Sequence, residues 1–393
     1  MKLPDGWRKD RLGDLIVGNI RNGYSPVCDL SGDTCGWMLS LGALTPHGLD
    51  YSQRKTAPVD PALARVELQD NDILISRSNT PDRVGMSSIF HVQEENYFYP
   101  DLMMRFQFDS NRLLPLFGWY FLNTPEARSY FKRKASGTSS SMVKITSATV
   151  RSLEIPYPPL PEQRRVAEFL GAWDKAIEKL ERLIAAKEKL HNHLINELFF
   201  SATEIMVAIS DFAQEISWKS TDFLTLTVLS CTKYDGLVDS EKYFGRRVYG
   251  SDLSKYKTVP YGCFAYATNH IEEGAIGLQM QYDLALISPM YTVFRIDNKK
   301  VDPLYLFYLL KSPCYVRKFK KRTEGSVNRR GGLHWHSFSQ IKVKLPNVEI
   351  QKKIAKILKY SQTELDLLSK KLAAFQKQKH GLMQKLLTGT WRV

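Results

Sequence analysis

The chain has 393 residues, 43% hydrophobic and 11% aromatic, which is enough to bury more than one core and excludes disorder by composition. Its formal net charge of +14 and pI near 9.4 point to a polyanionic partner, nucleic acid before an anionic membrane surface. The N-terminus MKLPDGWRKD lacks the apolar stretch of a secretory signal, and no apolar run reaches membrane-spanning length. Cys28, Cys35, Cys231, Cys263 and Cys314 form an odd set without a CxxC, which favours reduced thiols over a disulfide frame or zinc site, and so the cytoplasm.

In chain order, residues 1–154 hold short β-like runs such as DILIS, broken by Gly, Asn, Asp and Pro, as expected of a mixed α/β domain. Within it, ISRSNTPDRVG places Arg77, Ser78 and Asn79 just after a strand, side-chain types that hydrogen-bond base edges or phosphates. A helix is predicted from Pro115 to Lys134. The small-residue loop ASGTSSSMVKIT follows, with Gly137, Ser139, Ser140 and Lys144 suited to close approach to phosphates. A short strand then runs into PYPPLP, where proline ends the strand, and Pro161-Glu162 suit the first turn of a long helix. This spacer and helix occupy residues 155–200.

Residues 201–342 repeat the scheme, with β-like runs TLTVLS and MYTVFRI, and residues 343–393 form a second spacer and helix. Shifted by 188 residues, the two halves align without a gap from Pro115 over Pro303, and QRRVAEFL falls on QKKIAKIL. Upstream of Pro115 the match decays and the offset changes. In the second half Thr268, Asn269 and His270 occupy the position that matches the Arg77 segment, and the loop with Asn328, Arg329, Arg330 and His334 is a more basic counterpart of the hydroxyl loop. Each long helix carries an apolar stripe at alternating steps of four and three, the mark of coiled-coil packing. In the first it is Val166, Leu170, Trp173, Ile177, Leu180 and Ile184, and in the second Ile354, Leu358, Leu365, Leu368, Leu372 and Phe375. Lys187, His191, Ser361 and Lys379 are polar seam positions, of the kind that sets register. Residues 349–393 hold three acidic and ten basic side chains, which supply half of the net charge.

Catalytic signatures are missing from the sequence. It contains neither GxxxxGK[ST] nor GxGxxG before a helix. His334-Trp335-His336 has no further His or Cys nearby in sequence, so no metal site is expected. PYPP is similar to the aromatic-proline motif of amino-methyltransferases, but the leading Asn or Asp is lacking. No nucleophile is visibly partnered by a base.

Taken together, LPDGWRKDRLGDL, NDILISRSN, GTSSSMVKIT and above all LEIPYPPLPEQRRVAEFLGAWDKAIEKLERLIAAKEKL resemble the DNA specificity (S) subunits of type I restriction-modification systems over the whole chain. The second copy departs from the pattern, with Glu349-Ile350-Gln351 where the first has Pro161-Glu162-Gln163. The resemblance implies that each front part is a target recognition domain reading half of a bipartite, asymmetric DNA target. It implies that the long helices pack antiparallel and set the distance between the halves. Two modification (M) subunits, carrying S-adenosylmethionine and the methylation chemistry, would dock on the helices and domains. Restriction (R) subunits would add ATP- and Mg-dependent translocation and cleavage, and this chain would hold no cofactor and catalyse nothing. A helix of about 37 residues is about 55 Å long and matches about 16 base pairs, which suits a ruler. Two alternatives stay open here. A stand-alone DNA methyltransferase or nuclease would act on DNA without partners. A coiled-coil scaffold would show no sequence preference and little salt dependence.

Overall fold

The computed structural model describes residues 3–26, 33–139, 142–200, 205–219, 225–324 and 332–392. The chain forms two compact units: the first is Met1–Arg182 with Lys370–Val393, the second Leu183–Ser369. Each unit is a mixed α/β body that also takes a piece of both long helices, Leu160–Phe200 and Val348–Leu386.

The central sheet of the first unit has the order Ile16–Asn22, Met103–Phe108, Ile73–Ser76, Ser87–Ile89, with every neighbouring pair antiparallel. In the second unit Ala213–Ile216, Tyr291–Ile296, Phe264–Ala267 and Ile276–Leu278 reproduce that order, also antiparallel. Behind each sheet lie two short helices, Pro115–Leu122 and Pro125–Lys134 in one, Pro303–Lys311 and Pro313–Glu324 in the other. All four carry proline at their start, where its missing N–H leaves no helical bond unmade.

The cores match residue for residue at the 188-residue offset. Phe117, Phe121, Phe131, Ile155, Val166 and Leu170 are buried in the first unit where Tyr305, Leu309, Phe319, Val343, Ile354 and Leu358 are buried in the second. Met383 and Leu387 join the first core as Ile195 and Phe199 join the second. Each core therefore takes the start of one long helix and the end of the other. Full burial of such side chains is worth about 2 kcal/mol each, so the helix ends are part of the heads rather than appendages.

At the junction of head and helix, the strand Glu154–Tyr157 pairs with Arg8–Arg11, and Lys342–Lys344 pairs with Met206–Ala208. Proline follows each strand and ends the ladder, because it has no N–H to give. The buried Gln163 then locks the turn. Its amide donates to the carbonyls of Pro158 (2.9 Å) and Arg112 (2.8 Å), and its oxygen accepts from the Leu114 N–H (2.8 Å). Gln351, also buried, donates to Pro346 (2.8 Å) and Lys300 (3.1 Å) and accepts from Asp302 (2.8 Å).

Candidate nucleic-acid interface

In the first unit the two polar segments singled out by sequence meet in one small sheet. Ser136–Ser139 and Met142–Lys144 form a hairpin, and Ser78–Asn79 adds to its free side with Val143 opposite Asn79 and Lys144 opposite Ser78. The Ile145 N–H closes the join on the Arg77 carbonyl at 2.9 Å. Gly137 is required by the close approach of its neighbour, since a Cβ there would lie 2.8 Å from the Met142 carbonyl oxygen. Arg77 is half-buried and Lys144 exposed. Asn79 spends its side chain locally: its oxygen accepts from Thr80 N–H (2.9 Å) and its amide reaches Ser76 Oγ (3.3 Å). Ser78 corrects the expectation of a contact. It is 1% exposed and its hydroxyl faces inward without a partner among the described residues, so it is withdrawn from the surface. The Ser139 side chain and all of Ser140 lie outside the described residues.

The second unit brings the matching segments together. Leu333 N–H donates to the Thr268 carbonyl at 2.9 Å, the counterpart of the Ile145–Arg77 bond. Only glycine fits before it, because a Cβ at Gly332 would stand 2.1 Å from the Thr268 oxygen. The join borders a cleft of about 510 Å³, lined among others by Lys257, Asn269, Met290, Tyr291, His334 and Trp335. Asn269 and His334 are exposed. The cleft mixes amide, imidazole and aromatic faces with the Glu215 carboxylate and the Lys257 ammonium, which donates to the Tyr291 carbonyl at 2.7 Å. Amide, imidazole and aromatic groups are able to hydrogen-bond and stack on nucleotides. Asn328, Arg329 and Arg330 lie outside the described residues. Among the described residues one cluster of metal-ligand atom types, His270, Glu272 and Glu273, lies on a short turn, with His270 and Glu273 exposed and one Glu272 oxygen buried without a hydrogen-bond partner.

The helical stripe is buried or half-buried at every position named from sequence. Val166, Leu170, Ile354 and Leu358 belong to the cores of the heads, and Ile177, Leu180 and Leu365 are buried too. Trp173, Ile184, Leu368, Leu372 and Phe375 are half-buried. Within the first unit Trp173 stands edge-on to Phe375 with ring centroids 5.4 Å apart, and the Lys379 ammonium pairs with Asp174. Asp174 also accepts from Tyr120 at 2.6 Å; burial, then the neighbouring carboxylate, pushes that phenol far up. Within the second unit Lys187 pairs with Glu364 at 2.8 Å, and His191 Nδ1 lies 2.9 Å from Ser361 Oγ. Each of these seam contacts is made within one unit. The apolar side chains left exposed on the second helix are others, including Ile350, Ile357, Tyr360 and Leu367.

Sequence reasoning placed Glu162 at a helix start but missed its partner. The nearly buried carboxylate is gripped by both arms of the Arg392 guanidinium, at 3.0 and 2.7 Å. Arg392 holds the Glu162 carboxyl below the usual carboxylate range. The residues are far apart in the chain, and no local pattern could have joined them.

Two α/β units with the same central-sheet order and the same buried glutamine joint at a 188-residue offset define a tandem-repeat architecture. The chain belongs to the family of the type I restriction modification DNA specificity domain, whose profile matches residues 65–188 and 274–376, more than half of the sequence. It is 24% identical over 430 residues to the MjaVIII specificity subunit of Methanocaldococcus jannaschii, covering all of this chain and 95% of that one. It is 27% identical over 203 residues to the EcoEI specificity subunit of Escherichia coli, a match spanning half of this chain and 34% of that protein's length. Its fold is similar to that of the type I restriction-modification S subunit from M. genitalium, with a TM-score of 0.60 at 17% identity over 98% of both chains. No helix among the described residues is long and apolar enough to cross a membrane.

Proposed function

We propose that this chain is the DNA-reading subunit of a type I restriction-modification complex, each head reading one half of a bipartite, asymmetric target. In this reading residues 1–154 and 201–342 are the target recognition domains, and 155–200 and 343–393 are the spacers and helices. The helices run antiparallel as a coiled coil that sets the distance between half-targets and carries the modification subunits. The chain itself catalyses nothing. S-adenosylmethionine belongs to the modification subunits, and ATP with Mg to the restriction subunits.

The observation that carries the reading is the repeat of the head-to-helix joint, Gln163 and Gln351 with their matched partners, in a chain of this family. Two heads built alike at the joint and unlike at the front suit two different half-sites. The antiparallel reading is supported by partners whose numbers fall on one helix as they rise on the other: Asp174 with Lys379 and Glu181 with Gln376 in one unit, Lys187 with Glu364 and His191 with Ser361 in the other. The positive charge supplies the sequence-independent part of binding, and groups at the two joins supply selection.

The test is methylation of a randomised duplex pool by the chain assembled with its modification subunits. A bipartite target with a fixed gap is expected, and the purified chain alone should modify nothing. Methylation or cleavage by the chain alone would favour the enzyme reading. Binding without sequence preference and with little salt dependence would favour a scaffold.

A further inference from the structure

The second unit carries a surface that neither the sequence patterns nor the joins explain. After the strand Gly236–Asp239 comes a one-turn helix, Ser240–Phe244, and then Gly-Arg-Arg-Val-Tyr-Gly, residues 245–250. This projection is braced on both flanks. Asp239 accepts from the Lys242 N–H at 3.2 Å and from the Tyr282 hydroxyl at 2.9 Å, and Tyr243 donates to Asp235 at 3.0 Å. Gly245 reverses the chain at φ +63°, a conformation that side chains disfavour. On the return, Arg247 lies over the Tyr249 ring and donates to the Gly250 carbonyl, Tyr249 donates to Glu241 at 2.7 Å, and Tyr249, Leu253 and Tyr256 anchor the segment near Val228 and Leu286.

Outward from this bracing stand Phe244, Arg246 and Val248, with the exposed Tyr243 ring edge-on to Phe244 at 5.1 Å. Phe244 and Val248 are each 45% exposed, and Arg246 makes no hydrogen bond or ion pair among the described residues. This braced tip sets exposed apolar side chains on either side of an unpaired guanidinium, and such exposed groups contribute little to the stability of the fold. Its chemistry is that of an apolar wedge with a groove-reading arginine.

Its position agrees with that use. The sheet register lines up Asp239, Leu229, Ile287 and Lys257 across one end of a four-stranded sheet. The projection springs from Asp239 at that end. Lys257 lines the cleft of Asn269, Met290 and His334 from the same end. The projection also lies outside both stretches matched by the family profile, in the front part of the repeat where the 188-residue match decays. Residues that distinguish one target from another belong in such a part.

We propose that Phe244, Arg246 and Val248 form a DNA-contacting finger of the second recognition domain, with Arg246 reading a base edge and the apolar pair filling the groove beside it. This rests on the specificity-subunit reading above.

The test uses the full chain assembled with its modification subunits, selecting from a randomised duplex pool. Arg246→Ala is expected to weaken the selected duplex by about tenfold to a hundredfold and to relax preference in one half of the target only. Phe244→Ala should weaken the same half, and Arg246→Lys should keep affinity better than preference. Wild-type affinity and preference in both alanine variants would overturn the finger while leaving the subunit reading intact. Loss of assembly with unchanged preference would overturn it too, by showing a protein interface. A wild-type complex that selects no sequence overturns the subunit reading and the finger with it. Thermal unfolding checks that the variants, exposed as they are, remain folded.

Discussion

Gln163 and Gln351 make the same three hydrogen bonds, to partners that are themselves 188 residues apart: Pro158 and Pro346, Arg112 and Lys300, Leu114 and Asp302. One side-chain amide thus ties the proline that ends a strand to the loop that enters a helix pair, and it does so in a buried joint. The angle at which each long helix leaves its head depends on this clasp.

Gln163→Ala strands one N–H and two carbonyls in a buried place, and should cost on the order of 3 kcal/mol. Gln163→Glu should be nearly as damaging, since a carboxylate cannot donate to carbonyls. Because the joints are separate, Gln351→Ala should loosen the second unit and leave the first unchanged. Denaturant unfolding with hydrogen exchange resolved along the chain reads both effects. Equal protection loss in both units from either single variant would refute independent joints.

Asp174 and Lys379 form a buried pair, with side chains 23% and 4% exposed. Removing one charge leaves the other desolvated, so Asp174→Asn should destabilise the first unit by about 3 kcal/mol. Replacing the pair together, Asp174→Leu with Lys379→Met, should recover only part of that loss, because the pair's attraction is largely spent on its own desolvation while the buried Tyr120 hydroxyl still loses its acceptor. A double-mutant cycle in urea measures it, and additive losses would show that the pair is not coupled.

His191 occupies in the second unit the seam place that Lys379 holds in the first, at the same 188-residue offset. Burial pushes its imidazole below the ordinary value, and Asp366 only partly opposes this. The folded state therefore favours the neutral ring, while the unfolded chain takes up a proton near pH 6.5. Stability from this site is full above about pH 6.5 and is lost as pH falls through the lower folded value. His191→Gln should flatten that decline in the second unit. An unchanged acid slope would place the sensitivity elsewhere.

Much of this was readable in the sequence, for stated reasons. A gap-free offset with matched Gln, Pro and apolar positions gave the two units, and the four-three spacing picked out Val166, Ile177, Leu358 and Leu365 as inward-facing. Ser78 was misread because Ile73, Leu74, Ile75 and Ser76 are all buried, so alternation could not tell which residues beyond them reach water. Periodicity in the stripe reports burial and not the identity of what covers it. Arg392 on Glu162, and the exposed tip at Arg246, are products of tertiary placement, which leaves no periodic trace.

The ruler reading makes its own demand on helix length. The chain passes between units after Arg182 and again after Ser369, in the middle of each long helix. Seven residues inserted at both places preserve the a/d stripe, because seven is its repeat. They add about 10.5 Å of helix, or about three base pairs of duplex. The complex should then methylate a target whose halves are unchanged and whose gap is longer by about three base pairs. Inserting seven residues in one helix only breaks the facing pairs Asp174–Lys379 and Lys187–Glu364 out of common register, and should abolish recognition rather than lengthen the gap. A gap that stays the same in the doubly extended chain would mean that the helices hold the heads without measuring the DNA between them.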